Sequence, residues 1–201
     1  RWLWVLQQLL HPVAFAVILP LYQLALGKLL LVSFQKMHFL SFPVYPEEKL
    51  SKQPKDFPAG LPNGLAMLAL HQLHKLASLT KKRKHAQARY LKELQGLTTI
   101  ELPTLDDATV YLRFPIFLDT PHKLFNFAKA RGMILGRWYN TVVDPTGVNF
   151  EKIYYLKNTA PVAEKIVGRI INLPTTLREC EVTRVIKVVH DYCNQVDSQK
   201  I

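Results

Sequence analysis

The chain has 201 residues, 49% of them hydrophobic, enough to bury one sizeable core or two modest ones. Its formal net charge of +11 suits nucleic acid, an anionic membrane surface or an anionic small molecule without choosing among them. Only two cysteines occur, Cys180 and Cys193, without CxxC spacing; this excludes a disulfide framework and a thiolate metal site and fits a reducing compartment.

Residues 13–34 are almost wholly apolar and, at about 1.5 Å per helical residue, long enough to cross a bilayer core. Pro12 and Pro20 should break or kink a helix there, and Gly27-Lys28 places a flexible joint and a charge inside the stretch. The pattern predicts a hairpin of short apolar helices over 1–41, with Trp2 and Trp4 suited to a membrane interface or to a protein groove. Arg1 alone makes a poor basic region for a signal peptide, and no small-residue cleavage site follows.

Pro43, Pro46, Pro54, Pro58 and Pro62 mark 42–62 as an irregular connector. Leu65, Leu68, Ala69, Leu73, Leu76, Leu79, Ala86, Tyr90 and Leu94 then recur at helical spacing. With Asn63 as N-cap and Gly96 as stop, they predict one long helix within 63–96. Its basic run, Lys81 to His85 with Arg89, has no aromatic stacking platform, which favours a solvated face over nucleic acid as a partner. His71, His74 and His85 lack a carboxylate companion, so no metal site is expected.

Residues 97–201 form the last segment. Thr98–Leu102 and Thr109–Leu118 read as strands, with Pro115 at an edge or bulge. Thr120 caps a helix that has Pro121 at its first position and Gly132 as its stop, and Met133–Leu135 reads as a third strand. After a loop-rich excursion over 142–158, with Pro145 and Gly147, a helix beginning at Thr159 or Ala160 leads into Ile170–Leu173. Val182, Val185, Ile186, Val189 and Tyr192 then mark a closing amphipathic helix. The fold class is α/β: a small, largely antiparallel sheet with helices on one face, preceded by a long helix and an apolar helical hairpin.

Four stretches carry a resemblance. They are Leu61 to Leu73 with Lys81-Lys82-Arg83-Lys84; Tyr111-Leu112-Arg113-Phe114-Pro115-Ile116 with Leu124 and Ala130-Arg131-Gly132; Ala160-Pro161-Val162-Ala163-Glu164-Lys165; and Ile171 to Thr175 with Glu181 to Ile186. In this order, from about Phe57 onward, they resemble the C-terminal part of the DegT/DnrJ/EryC1/StrS aminotransferases, a branch of the fold-type I pyridoxal-phosphate enzymes.

The resemblance implies a small C-terminal α/β domain over 97–201 and an interdomain helix over 63–96. A large domain, bearing the lysine that holds pyridoxal phosphate, is expected to precede them. It further implies amino-group transfer to a nucleotide- or lipid-linked keto-sugar or related carbonyl, and a homodimer when full length. Ser33-Phe34-Gln35-Lys36 is superficially similar to the surroundings of that lysine. It follows an apolar hairpin instead of a sheet, however, and Lys36 reads as a helix end favourable to the dipole. No catalytic residue is assigned, and the chain alone is not expected to bind the cofactor.

Where the family presents an Asn and an Arg that reach across the dimer, this chain has Pro58 and Gly60. Asn63 at the helix start, and Arg137, Trp138 and Tyr139 after the third predicted strand, are the candidate substrate-binding residues: an Arg for a carboxylate or phosphate, aromatics to flank a sugar or nucleotide. The alternative function is a non-catalytic, membrane-associated interaction module derived from the family, meeting a membrane surface through 1–40. Either reading places the protein in the cytoplasm, the second at the inner face of the membrane.

Overall fold

The computed structural model describes residues 2–21, 26–37, 39–41, 44–54, 57–58, 60–104, 106, 108–144 and 146–199. The chain divides into two compact units, Arg1–Lys75 and Leu76–Ile201.

The first unit holds α1 (Trp2–Leu21), α2 (Leu26–Lys36), the short α3 (Pro46–Lys49) and α4 (Asn63–His74). Helix α1 runs unbroken through Pro12 and Pro20, against the expectation of a break. Each proline removes one backbone donor. His11 Nδ1 lies 2.7 Å from the Gln7 carbonyl in the turn that Pro12 weakens, and Pro20 falls in the last turn, where little helix remains to disrupt. Gly27 is likewise no joint: it lies inside α2, at its buried position. The link over 22–25, Pro43 in the connector and Pro145 in the later loop lie outside the described residues.

Helices α1 and α2 pack on each other, α4 touches α1, and Ile18 and Leu40 are buried, while a hydrogen bond of 2.8 Å joins Gln8 to Ser41. Much of this unit's apolar surface stays uncovered: Val13 is 64% exposed, Leu29 65% and Met67 68%.

The expected single helix over 63–94 is interrupted at Lys75, whose backbone N–H donates to the Gln72 carbonyl three residues back instead of continuing the four-residue ladder. Asn63 is not the N-cap. Pro62, with extended backbone, takes that place and Asn63 begins the helix, the Ala66 N–H reaching the Pro62 carbonyl at 2.9 Å.

The second unit contains α5 (Leu76–Leu94), β1 (Arg113–Phe117), α6 (Pro121–Ala130), α7 (Pro161–Val167), β2 (Ile170–Pro174) and α8 (Glu179–Ser198). Strands β1 and β2 are antiparallel, with Phe114 opposite Leu173 and Ile116 opposite Ile171. These four side chains share one face and are fully buried. They join Ala86, Tyr90 and Leu94 of α5, Leu124 and Ala128 of α6, and Val182, Val185, Val189 and Cys193 of α8 in a single cluster.

The other expected strands contract to single bridges, Glu101 with Phe117 and Gly136 with Asn172. Pro115 accounts for the first. The Phe117 N–H points to Glu101, so the nitrogen of Pro115, two residues earlier, faces the same outer edge with no hydrogen to donate, and the ladder stops. Over 133–135 the local helix end competes: the Met133 N–H closes α6 on the Ala128 carbonyl, and Gly132 takes φ +70°. Pairing can begin only at Gly136.

Candidate functional site

Residues 136–142 leave the sheet edge and separate two depressions in the second unit. Gly136 starts this segment at a point where a side chain would be crowded. A Cβ there would lie 3.0 Å from that of Asn172 and 3.1 Å from Arg113 Nη1, while its backbone exchanges two hydrogen bonds of 2.8 Å with Asn172. Asn172 Nδ2 also donates to the Trp138 carbonyl, which anchors the candidate aromatic pair to β2.

Arg137, Trp138 and Tyr139 therefore stand together at the surface, all three exposed. The rings of Trp138 and Tyr139 are 6.2 Å apart and inclined at 58°. The Arg113 guanidinium sits 4.5 Å from the centre of the Trp138 ring, and that of Arg137 lies 5.7 Å from the Phe125 ring. Asn63, the fourth candidate, lies in the other unit, where it lines a cavity of about 650 Å³ with Trp2, Trp4, Leu9 and Leu61.

On one side of the segment is an apolar groove of about 600 Å³, lined by Tyr139, Val142, Pro161, Val162, Ile166 and Ile170 among others. Glu164, from the Pro-x-Ala-Glu stretch, holds its rim. Its carboxylate accepts the Tyr155 hydroxyl at 2.6 Å and the Asn158 N–H at 2.7 Å, tying the 142–158 excursion to α7. The Tyr155 hydrogen bond holds the Glu164 carboxyl below the usual carboxylate range and pushes the tyrosine up.

On the other side is a cleft of about 360 Å³, bounded by Arg83, Arg113, Gly136, Asn172 and Thr176, with Leu112, Ile134 and Leu135 supplying apolar wall. Arg83 and Arg113 were hidden from pattern reasoning, one inside a basic run and the other inside a strand. Only the tertiary fold brings them to one cleft.

The basic run divides. Arg89 pairs with Glu93 at 2.6 Å and with Glu179 of α8 at 2.5 Å, and His85 meets Glu179 at 3.1 Å, so part of the run clamps α5 to α8. The Arg89 guanidinium holds both carboxyls below their ordinary range, Glu179 with help from His85. Burial pushes the Cys193 thiol up to about 11, an inert core thiol, whereas Cys180 is exposed.

Among the described residues no group of three His, Cys, Asp or Glu is placed to hold a metal. Pyridoxal phosphate requires a lysine amine beside a phosphate cradle and a ring-sized slot. Lys36 is exposed at the end of α2, and Lys123, beside Asp119 in a cavity near Tyr192, is exposed on α6 while Asp119 pairs with Arg169 at 3.3 Å. Neither lysine fits the group.

The structure is similar to DesV of S. venezuelae in complex with a ketimine intermediate, at 23% identity and TM-score 0.55 over 63% of this chain and 35% of that one. It is also similar to a DegT DnrJ EryC1 StrS aminotransferase from Brucella abortus (21%, TM-score 0.51, 61% and 33%). A third likeness is to the sugar aminotransferase CalS13 from Micromonospora echinospora (18%, TM-score 0.50, 60% and 32%). The chain thus spans about a third of the length of these structures. A search of curated proteins gives no match. The model of the DegT/DnrJ/EryC1/StrS aminotransferase family matches residues 51–190, which takes in the interrupted helix, both strands and most of α8, and the chain belongs to that family.

Proposed function

We propose that this chain is the C-terminal portion of a pyridoxal-phosphate-dependent aminotransferase that transfers an amino group to a nucleotide- or lipid-linked keto-sugar or related carbonyl. The observation that carries the reading is the match over 51–190 together with the fold shared with aminotransferases of which this chain covers about a third. In this reading 1–41 is the hairpin, 42–62 the connector, 63–96 the interdomain helix and 97–201 the small domain. The small domain meets substrate through Arg137, Trp138 and Tyr139, with Asn63 at the helix start, and the full-length protein is a cytoplasmic homodimer. The cofactor supplies the electron sink for amino transfer when bound. In this reading its lysine belongs to the family's large domain, and neither Lys36 nor Lys123, both exposed, is assigned that role.

Borohydride reduction of this chain incubated with pyridoxal phosphate tests the assignment: no stoichiometric labelling is expected, and stoichiometric labelling of Lys36 would sink it. The full-length protein should show cofactor absorbance that an amino donor bleaches and a keto-sugar restores.

A second reading, a membrane-associated interaction module without catalysis, is favoured by one observation. Helix α1 is, by length and composition, apolar enough to cross a membrane, and little of it is buried. Absence of cofactor absorbance in the complete protein would select this reading.

A further inference from the structure

We propose that the cleft between α5, the start of β1 and the end of β2 is a binding site for a phosphate-class oxyanion, a phosphate monoester or diphosphate group on a soluble small molecule. It goes beyond the transamination reading and stands on side chains of the second unit alone. Two guanidiniums, Arg83 and Arg113, line the cleft, and no carboxylate is among its lining residues. Arg83 Nε is buried and has no hydrogen-bond partner. A buried guanidinium N–H left unpaired is costly, and an oxyanion in the cleft would supply both an acceptor for it and the opposite charge. Three acidic side chains of α5 and α8 are engaged elsewhere: Glu93 and Glu179 are taken by Arg89, and Glu181 by Arg178.

The rest of the lining fits the same ligand. Arg113 is held by stacking on Trp138, which orients its fork without using up its donors. Thr176 exposes a hydroxyl at the rim, whereas the Thr175 hydroxyl is already committed to the Leu112 carbonyl at 2.7 Å. Gly136 has no side chain to fill the space beside Arg113 Nη1. Leu112, Ile134 and Leu135 supply the apolar side of the cleft, against which the non-ionic part of a ligand can lie.

The test is isothermal titration of the intact chain with inorganic pyrophosphate at fixed ionic strength. Saturable binding of one equivalent is expected, weakened roughly tenfold or more by Arg83→Gln and by Arg113→Gln. Arg113→Lys, which keeps the charge and loses the planar fork, should also weaken it. The control is Lys81→Gln with Lys82→Gln, which removes two charges from the same helix; diffuse attraction would respond to it as strongly as to the arginine variants, and the site would not. Arg113 is exposed at a strand end, so its variants fold even if Arg83→Gln does not. Absence of saturable binding, or equal losses in the lysine control and the Arg113 variants, would overturn the proposal.

Discussion

Replacing Tyr90 by Phe isolates the hydrogen bond that ties α5 to the end of β2. Tyr90 is fully buried; its hydroxyl donates to the Pro174 carbonyl at 2.7 Å, and its ring lies 5.4 Å from that of Phe114. Burial raises the phenol above its ordinary value, so it remains a donor throughout the neutral range. Tyr90→Phe keeps the ring and removes only the hydroxyl. The loss is one hydrogen bond plus the desolvation of an orphaned carbonyl, about 1–3 kcal/mol. Tyr90→Ala adds a cavity at the centre of the cluster and reaches about 3–5 kcal/mol. A whole-chain melt mixes two compact units, so the assay is native-state hydrogen exchange at the paired amides of β1 and β2, which reports the second unit. Unchanged protection in Tyr90→Phe would refute the hydrogen bond. A loss as large as that of Tyr90→Ala would refute the packing argument.

Acid should loosen the α5–α8 clamp. Glu93 and Glu179 are depressed in the folded state, so their contribution is present above the unfolded carboxylate value of about 4.3 and is lost as pH falls through the folded one. The effect is small because both carboxylates keep contact with solvent, and the urea midpoint of the second unit, followed by hydrogen exchange at the β1–β2 amides, should fall less between neutral pH and pH ~3 in Glu93→Gln/Glu179→Gln than in the native chain. On the proposed reading, Arg137→Ala in a full-length homologue should raise the Michaelis constant, by an amount equivalent to about 1.5–3 kcal/mol, and leave the cofactor spectrum unchanged. Unchanged kinetics with a lowered Tm would show instead that Arg137 serves mainly to cover Phe125. The intact chain should sediment with liposomes while a truncation starting at Phe57 stays in solution, since each large apolar side chain of α1 that enters lipid contributes about 1.5–3 kcal/mol. Full solubility of the intact chain as a monomer would count against an exposed hairpin.

By itself the sequence determined the elements whose signals are local. Helix α6 announces both ends, Pro121 at its first position and Gly132 at φ +70° just after it, and α8 carries its core face at Val182, Val185, Val189 and Tyr192 because a 3.6-residue period needs no partner to be read. The family resemblance was legible for the same reason, in short stretches kept in order. Even locally the rule has limits: Thr120 caps α6 without a side-chain bond to it, its hydroxyl lying 3.1 Å from that of Tyr192.

Tertiary structure alone decided what depends on distant partners. Thr98–Leu102 and Met133–Leu135 have strand-like composition, but a strand exists only where a neighbour offers donors and acceptors, and Pro115 and the α6 cap withdrew them. The long apolar period over 63–94 likewise concealed that Ala86, Tyr90 and Leu94 are buried while Leu68, Leu73 and Leu76 are exposed, because periodicity marks which side chains share a face and not whether anything covers that face. The pairing of Arg83 with Arg113 is the extreme case. Their meeting at one cleft follows from the placing of α5 beside the β1–β2 sheet, a consequence of core packing that no spacing in the chain encodes.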